Sequence, residues 1–181
     1  AIKLIEQHTK VISIGEGQDY RIKTLSESGV FFTPLTVENA QYIDAEFKRL
    51  TNNLFERDKK ILIHDREFLT KAQATDTVWF TFAELCEKPR AYPDYLTLSE
   101  QFKTFFIIDM PICSAKDDAA IRRFVHLIDI LYDKKIILIL SADADVMDLY
   151  QGKDLKNEFA SIVTQKRFCY HKRIFLQKSF Q

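Results

Sequence analysis

The stretch FKTFFIIDMP at residues 102–111 decides the fold, together with SAKDDAAIRRFVHLIDILYDKK at residues 114–135 and IILILSADADVMDLY at residues 136–150. The middle stretch repeats apolar residues at helical spacing, whereas the flanking stretches carry uninterrupted apolar runs of strand length. A strand, an amphipathic helix and a second strand form a parallel βαβ unit, whose strands are buried on both faces. The sequence therefore predicts an α/β fold, with helices on both faces of a mixed sheet.

Polar residues stand where the two apolar runs end, Asp109 after the first and Ser141 after the second. Open parallel sheets bind ligands at the carboxyl ends of their strands, so Asp109 is a candidate acid and Ser141 a candidate polar sensor. Met110 follows where a second carboxylate would be needed to activate water. Ser141 equally suits the cap of a short helix, which is the favoured interpretation. Ser141 with Asp143 and Asp145 could also form a divalent site, and a free-standing hydrolase that uses Asp109, Asp143 and Asp145 with a metal ranks last among the hypotheses. We predict no metal site.

The helix between these strands has well-marked ends and two cationic residues in its middle. Ser114 and Asp117 form a capping box at its start. Its apolar stripe consists of Ile121, Phe124, Val125, Ile128, Leu131 and Tyr132. Arg122 and Arg123 could contact a nucleotide phosphate, because guanidinium donors stabilise charge on a transferring phosphoryl group. Adjacent helical residues point about 100° apart, so at most one arginine reaches a given site, and ordinary surface roles are favoured.

Short strands and helices alternate along the rest of the chain. We predict a strand at residues 11–15, a turn at Gly15 and Gly17, and a strand at residues 30–33. An amphipathic helix follows until about Phe55, with Ala40, Ile43, Phe47, Leu50 and Leu54 on its apolar face. Residues 59–82 then suggest two or three antiparallel strands, with a turn near Asp65 and Arg66. A helix from Ala83 is broken by Pro89 and Pro93 and resumes at residues 94–101.

Composition excludes several classes of function. The chain has 26 Lys plus Arg and 26 Asp plus Glu. This zero net charge argues against nucleic-acid binding over the whole surface, and the one basic cluster is KRFCYHKRIFLQK at residues 166–178. No apolar run approaches the ~18 residues that cross a bilayer, which leaves at most peripheral membrane contact. Cys86, Cys113 and Cys169 lack paired spacing, as expected for reduced thiols inside a cell.

Several uncommon sequence segments occur in an order that is typical of one family. They are IKLIEQHTKVISIGEGQDYRIKTL, VFFTPLT, WFTFAELCEKP, DYLTL, FKTFFIIDMP, RRFVHLIDILYDKK and LILSADADVMDLYQG. Together they resemble the C-terminal half of ZapE-type AAA+ ATPases. The resemblance divides the chain into the tail of an AAA+ core at residues 1–26, a family-specific α/β region at residues 27–160, and a divergent tail at residues 161–181.

The resemblance implies that ATP and Mg²⁺ are the cofactors and that most of their binding site lies elsewhere. The sequence contains no G-x-x-x-x-G-K-[ST] phosphate loop, which in this family would precede Ala1. Where the family has E-F-x-R-T-x-S-R-L, residues 158–166 read EFASIVTQK, so both arginines are replaced. We therefore expect a piece of a longer protein that carries no catalytic residue and does not bind ATP tightly by itself.

Two hypotheses about function follow. In the first, the chain is part of an ATPase that remodels protein partners in cell division or protein quality control. It would work with an upstream P-loop domain, form homo-oligomers, and reside in the bacterial cytoplasm or the mitochondrial matrix. In the second, the chain is a non-catalytic interaction module, or a decayed remnant, that does not use nucleotide.

Overall fold

The structure, a computed structural model, describes residues 30–165. The predicted strand at residues 11–15, the turn at Gly15 and Gly17, Cys169 and the basic cluster at residues 166–178 lie outside the described residues. Within residues 30–165, no helix combines the length and the apolar content needed to span a membrane.

Helices separate the parallel strands, and short antiparallel strands interrupt the middle of the chain. The α-helices are α1 (Val37–Leu50), α2 (Tyr92–Gln101), α3 (Asp118–Asp133) and α4 (Lys156–Gln165). The strands are β1 (Val30–Phe32), β2 (Glu56–Arg57), β3 (Lys60–Ile63), β4 (Arg66–Leu69), β5 (Ala72–Gln73), β6 (Thr77–Thr81), β7 (Thr104–Met110) and β8 (Ile137–Ala142). A π-helical turn (Ala83–Glu87) and two 3-10 helices (Ala115–Asp117 and Val146–Asp148) complete the described elements.

Six strands form one mixed sheet in the order β1-β8-β7-β6-β5-β2. The first four strands in that order are mutually parallel, and β5 and β2 extend the sheet in antiparallel fashion. Strands β3 and β4 form a separate hairpin. The structure confirms the predicted α/β class, the βαβ unit of β7, α3 and β8, and the antiparallel strands in the middle of the chain.

Strand β7 is buried on both faces, as its uniformly apolar sequence predicts. Phe105 and Ile107 belong to a large core cluster that includes side chains of α2 and α3. Phe106 and Ile108 belong to a second cluster, which contains Ile43 and Phe47 of α1. Helices therefore cover the two faces of the sheet, and α1 alone supplies the helical part of the second cluster among the described residues.

Three predictions about the helices were wrong. Helix α1 ends at Leu50 rather than near Phe55, because Asn52 and Asn53 adopt left-handed backbone conformations and turn the chain away. Pro93 lies in the first turn of α2 instead of breaking a helix, since the first turn leaves its backbone N–H groups without helical partners. Tyr132 of α3 is 53% exposed, so it does not belong to the buried apolar stripe.

The β3–β4 hairpin turns one residue earlier than the sequence predicts. His64 and Asp65 both have positive φ, so they are the two turn residues, and Arg66 begins β4. Ile61, Ile63 and Phe68 are buried in the larger core cluster. The hairpin thus packs on the same side of the sheet as α2 and α3.

The account of the second cluster predicts a large loss of stability for Phe47→Ala. The Phe47 ring is fully buried, and its centroid lies 5.0–5.2 Å from those of Phe55, Trp79 and Phe106. Removing a buried aromatic ring costs about 3–5 kcal/mol. Urea denaturation of the full chain measures this cost. Leu54→Ala is the control, because Leu54 is 77% exposed, and equal destabilisation by the two substitutions would contradict the account.

Candidate functional site

The parallel strands β1, β6, β7 and β8 end on the same side of the sheet. We call the residues at and after these strand ends the carboxyl edge, namely residues 33–37, 82–87, 109–114 and 141–149. In open sheets with parallel strands, ligands bind at this edge. It contains the predicted site residues Asp109 and Ser141.

A β-bulge places Asp109 on the surface. Ile107 pairs with Leu140 and Met110 pairs with Ala142, so two residues of β7 stand opposite Ser141 alone. Asp109 takes up the extra length with φ of 61°, a left-handed conformation that Asp tolerates better than most side chains. The bulge returns Met110 to the larger core and leaves Asp109 exposed.

Ser141 has an internal structural role in this arrangement. Its side chain is buried, and its Oγ accepts a hydrogen bond of 3.2 Å from the backbone N–H of Asp109. The bulge leaves this N–H outside the regular ladder, so the hydroxyl satisfies a donor that would otherwise be unpaired. Ser141 lies within β8 and does not cap a helix, so the favoured capping interpretation was wrong. The structure thus joins Asp109 and Ser141 through a hydrogen bond from a backbone N–H to a side-chain hydroxyl.

Backbone hydrogen bonds join the loops after β7 and β8. Cys113 donates its N–H to the carbonyl of Leu149 at 2.7 Å and accepts from Gln151 at 2.8 Å. Asp143 donates to the carbonyl of Met110 at 3.0 Å. Burial raises the pKa of the Cys113 thiol to about 12, so it stays protonated at neutral pH. These loops therefore form one connected surface.

Tyr150 secures the far end of that surface to α3. Its hydroxyl donates to Oδ1 of Asp118 at 2.6 Å, and burial followed by this bond raises the pKa of Tyr150. Gly152 follows closely, and a Cβ built there would lie 2.1 Å from the Tyr150 hydroxyl oxygen. Glycine is therefore required for the chain to pass over the ring.

The capping box predicted at Ser114 and Asp117 is also confirmed.

The two arginines of α3 have different surroundings. Arg123 is partly buried, and its Nη1 donates to the carbonyl of Cys86 at 2.8 Å, which fixes the π-helical turn to α3. Arg122 is exposed. A contact between Arg122 and nucleotide stays a prediction, whereas Arg123 already stabilises the fold.

The carboxyl edge is anionic. Exposed carboxylates stand at Asp109, Asp143, Asp145 and Asp148. Neither residues 104–115 nor residues 137–152 contain a lysine or arginine. Among residues 30–165, no group of three or more His, Cys, Asp or Glu side chains is arranged to hold a metal ion.

A second polar cluster, at the base of the hairpin, was not predicted from the sequence. Asp94 is fully buried, and its carboxylate accepts from the N–H of Ala91 at 2.7 Å. Arg66 Nη1 lies 3.0 Å from Oδ1 of Asp94, and His64 Nδ1 lies 3.1 Å from the same oxygen. Burial acts to raise the pKa of Asp94, but these hydrogen bonds and the charge of Arg66 outweigh it and keep the pKa below its ordinary value.

Glu84 forms the other half of this polar cluster. Its buried carboxylate pairs with Arg90 and Lys88, and the Arg90 guanidinium lies 3.8 Å from the centroid of the Phe68 ring. Arg90 also donates to the carbonyl of Glu67 at 2.8 Å. The cluster therefore attaches the hairpin to the π-helical turn and α2. The sequence signals were the Glu84–Lys88 spacing of four residues and an acid in the first turn of α2.

The described residues define an α/β protein whose parallel strands end at a surface that carries exposed carboxylates. Residues 1–168 match the family model described as AFG1-like ATPase. The chain belongs to this family. Its relatives include the cell division protein ZapE of Escherichia coli, which is 31% identical over 159 residues, or 88% of this chain.

Two eukaryotic relatives are more distant. An uncharacterized protein of Schizosaccharomyces pombe, C115.02c, is 29% identical over 82% of this chain. Lactation elevated protein 1 homolog B of Danio rerio is 27% identical over 88% of this chain. The aligned part covers 42% of the E. coli protein, 33% of the S. pombe protein and 32% of the D. rerio protein. No solved structure matches the chain.

The family implies the use of a nucleotide with Mg²⁺, but the described residues do not fit that group. Four exposed carboxylates at the carboxyl edge would repel a polyphosphate, and the strands and loops that carry them, residues 104–115 and 137–152, contain no lysine or arginine. The Ser141 hydroxyl accepts the Asp109 N–H, and Arg123 is bound to a carbonyl. We therefore assign no step of ATP hydrolysis to residues 30–165.

The hairpin cluster predicts that acid weakens the fold through Asp94. Because its pKa is lowered on folding, Asp94 stabilises the native state above the unfolded pKa of about 3.9. This contribution is lost as the pH falls through the folded pKa. Asp94→Asn should cost about 1.5–3 kcal/mol at neutral pH and progressively less below pH ~4. Denaturant unfolding at a series of pH values measures the difference.

Asp44→Asn is the matched control. The pKa of Asp44 is also lowered, first by its hydrogen bond with Lys48 and then by Arg57, but this pairing lies at the surface. Its loss should cost less than about 1 kcal/mol. A constant difference between wild type and Asp94→Asn from neutral to acid pH would contradict the proposed charge dependence.

Proposed function

We propose that this chain is part of an AFG1-like ATPase that couples ATP hydrolysis to the remodelling of protein partners. The family match over residues 1–168 carries the proposal. The identity of 31% with a cell division protein supports a role in cell division, and protein quality control is the other setting we consider. We place the protein in the bacterial cytoplasm, or in the mitochondrial matrix of a eukaryote.

In this proposal, one region of the complete protein binds ATP and another region contacts protein. A P-loop outside these 181 residues holds the ATP phosphates and Mg²⁺, and the complete protein forms homo-oligomers. Residues 30–165 support the ATPase mechanically and contact protein. The anionic carboxyl edge supports this division, because it disfavours phosphate and leaves charged and apolar groups accessible.

A second candidate is a non-catalytic interaction module that does not use nucleotide. Two observations favour it. Ser141 and Arg123, which could have served a nucleotide, have internal partners. In addition, residues 158–166 read EFASIVTQK, without the two arginines that the resemblance leads one to expect.

Calorimetric titration with Mg-ATP, combined with turnover measurements, tests the proposal. We expect no binding heat with this chain, and ATP turnover by the full-length protein that contains it. Turnover is expected because the P-loop region is then present. Absence of turnover in the full-length protein would favour the non-catalytic module.

The Arg122→Ala chain is the matched variant in the same titration. Arg122 is exposed, so the substitution should change the stability of the fold by less than about 0.5 kcal/mol. Our division of tasks would be contradicted if the wild-type chain bound Mg-ATP and the Arg122→Ala chain did not. This result would make Arg122 a nucleotide contact.

A further inference from the structure

Strand β3 has a neighbouring strand on one side. It pairs with β4 in the two-stranded hairpin, and β2, which precedes it in the chain, is the last strand of the six-stranded sheet. A strand at the end of a sheet presents backbone N–H and C=O groups that no neighbouring strand satisfies, and such an edge can pair with another chain. We call the side of β3 that faces away from β4 the outer edge of β3. Within residues 30–165, no strand pairs with this edge.

The hydrogen bonds of the hairpin identify the residues whose backbone groups lie at this edge. The N–H of Thr70 donates to the carbonyl of Lys59 at 2.9 Å, so these two opposite residues form a hydrogen-bonded pair. In an antiparallel ladder, such pairs alternate with pairs whose backbone groups point away from the partner strand. Lys60 and Leu62 occupy the alternate positions, and their N–H and C=O groups therefore point outward. No hydrogen bond from another described residue reaches these groups.

The other edge of the hairpin is covered by the chain itself. The carbonyl of Glu67 in β4 points outward in the same way, and Arg90 Nη2 donates to it at 2.8 Å. Strand β4 also contacts the π-helical turn Ala83–Glu87. Of the two hairpin edges, the outer edge of β3 is therefore the one whose outward backbone groups have no partner among the described residues.

The exposed face of the hairpin adds side-chain contacts to this edge. Leu62 is 69% exposed and Leu69 of β4 is 44% exposed, whereas the opposite face packs into the larger core. Lys60 lies on the same exposed face as Leu62, because alternate residues of a strand share a face. The Nζ of Lys60 contacts Glu67 at 2.8 Å, but an ion pair this exposed is weak and leaves the cation open to a second carboxylate.

The hairpin presents its outer edge in a fixed conformation. Ile61, Ile63 and Phe68 anchor it in the larger core, and the buried Asp94 carboxylate accepts a hydrogen bond from Arg66. A preformed strand loses little conformational entropy when a further strand pairs with it. The edge supplies backbone donors and acceptors at strand spacing, which an extended chain satisfies and a helix does not.

We propose that the outer edge of β3 binds an extended segment of a protein partner as an additional antiparallel strand. The segment exchanges backbone hydrogen bonds with Lys60 and Leu62, places an apolar side chain beside Leu62, and places a carboxylate beside Lys60. In this mode of recognition, main-chain hydrogen bonds give affinity and alternate side chains give specificity. The inference rests on the proposed function in assigning protein contact to residues 30–165, and it names the surface and the chemistry of the partner.

Backbone amide NMR spectra of the full chain, titrated with the peptide acetyl-Thr-Leu-Val-Glu-Thr-amide without nucleotide, test the proposal. In the antiparallel register, the leucine of the peptide lies opposite Leu62, its valine opposite Ile61 and its glutamate opposite Lys60. We expect saturable shifts of the amide signals of residues 59–63 within ~1 mM peptide. Amide hydrogen exchange should slow at Lys60 and Leu62, because their N–H groups become hydrogen-bonded.

Methylation of single peptide nitrogens makes the test specific for backbone pairing. The N–H of the peptide leucine points at β3, whereas the N–H of the neighbouring valine points away from it. The peptide with N-methylleucine should therefore bind at least about tenfold more weakly than the parent peptide. The peptide with N-methylvaline is the matched control and should bind as the parent does.

A charge exchange tests the side-chain preference. Lys60→Glu should weaken binding of the parent peptide and favour a peptide in which lysine replaces the glutamate. Lys156→Glu is the control variant, because Lys156 is exposed on α4, which packs on α3 away from the hairpin. This control should bind both peptides as the wild-type chain does.

Four outcomes would overturn the proposal. The first is a parent peptide that leaves the signals of residues 59–63 unchanged, and the second is equal binding of the two methylated peptides. The third is a Lys60→Glu chain that keeps the wild-type preference between the charged peptides. The fourth is a peptide-free spectrum whose signals at residues 59–63 change on dilution, which would assign the edge to a second copy of the chain. Because no nucleotide is present, failure of this test leaves the turnover test of the ATPase unaffected.

Discussion

Burial of strand β7 on both faces is the constraint on which the rest of the structure depends. Phe105 and Ile107 require cover from α2 and α3, and Phe106 requires cover from α1. A strand of this kind cannot lie at a solvent-exposed sheet face, so the chain must supply helices to both sides. Strands β6, β7 and β8 are parallel. Parallel neighbours need long crossover connections, and here each connection contains a helix that packs on the sheet.

The same strand determines the chemistry of the carboxyl edge. Continued alternation after Ile108 would direct Asp109 into the larger core, where an unpaired carboxylate is costly. The bulge prevents this by inserting one residue into β7. The Ser141 hydroxyl then accepts a hydrogen bond from the backbone N–H of Asp109, which the bulge leaves without a partner strand. The result is an exposed acid beside three others. The bulge that allows β7 to be buried thus keeps one of the four acids of the carboxyl edge on the surface.

Local signals made much of this fold predictable, whereas the site depends on pairings between distant residues. Apolar runs and helical spacing indicated β7, α3 and β8, and the capping box at Ser114 needed only four consecutive positions. The bulge at Asp109 depends on its register with a strand 32 residues away. The hairpin cluster joins Arg66 to Asp94 across 28 residues. Neither arrangement leaves a periodic trace in the sequence.

Amide hydrogen exchange of the full chain with and without Mg-ATP tests the central claim most directly, because it reports on the carboxyl edge residue by residue. The claim is that this edge does not hold nucleotide. We predict unchanged exchange at residues 109–114 and 143–149 when Mg-ATP is added. Protection of these residues by Mg-ATP would contradict the account and place the nucleotide at the strand ends.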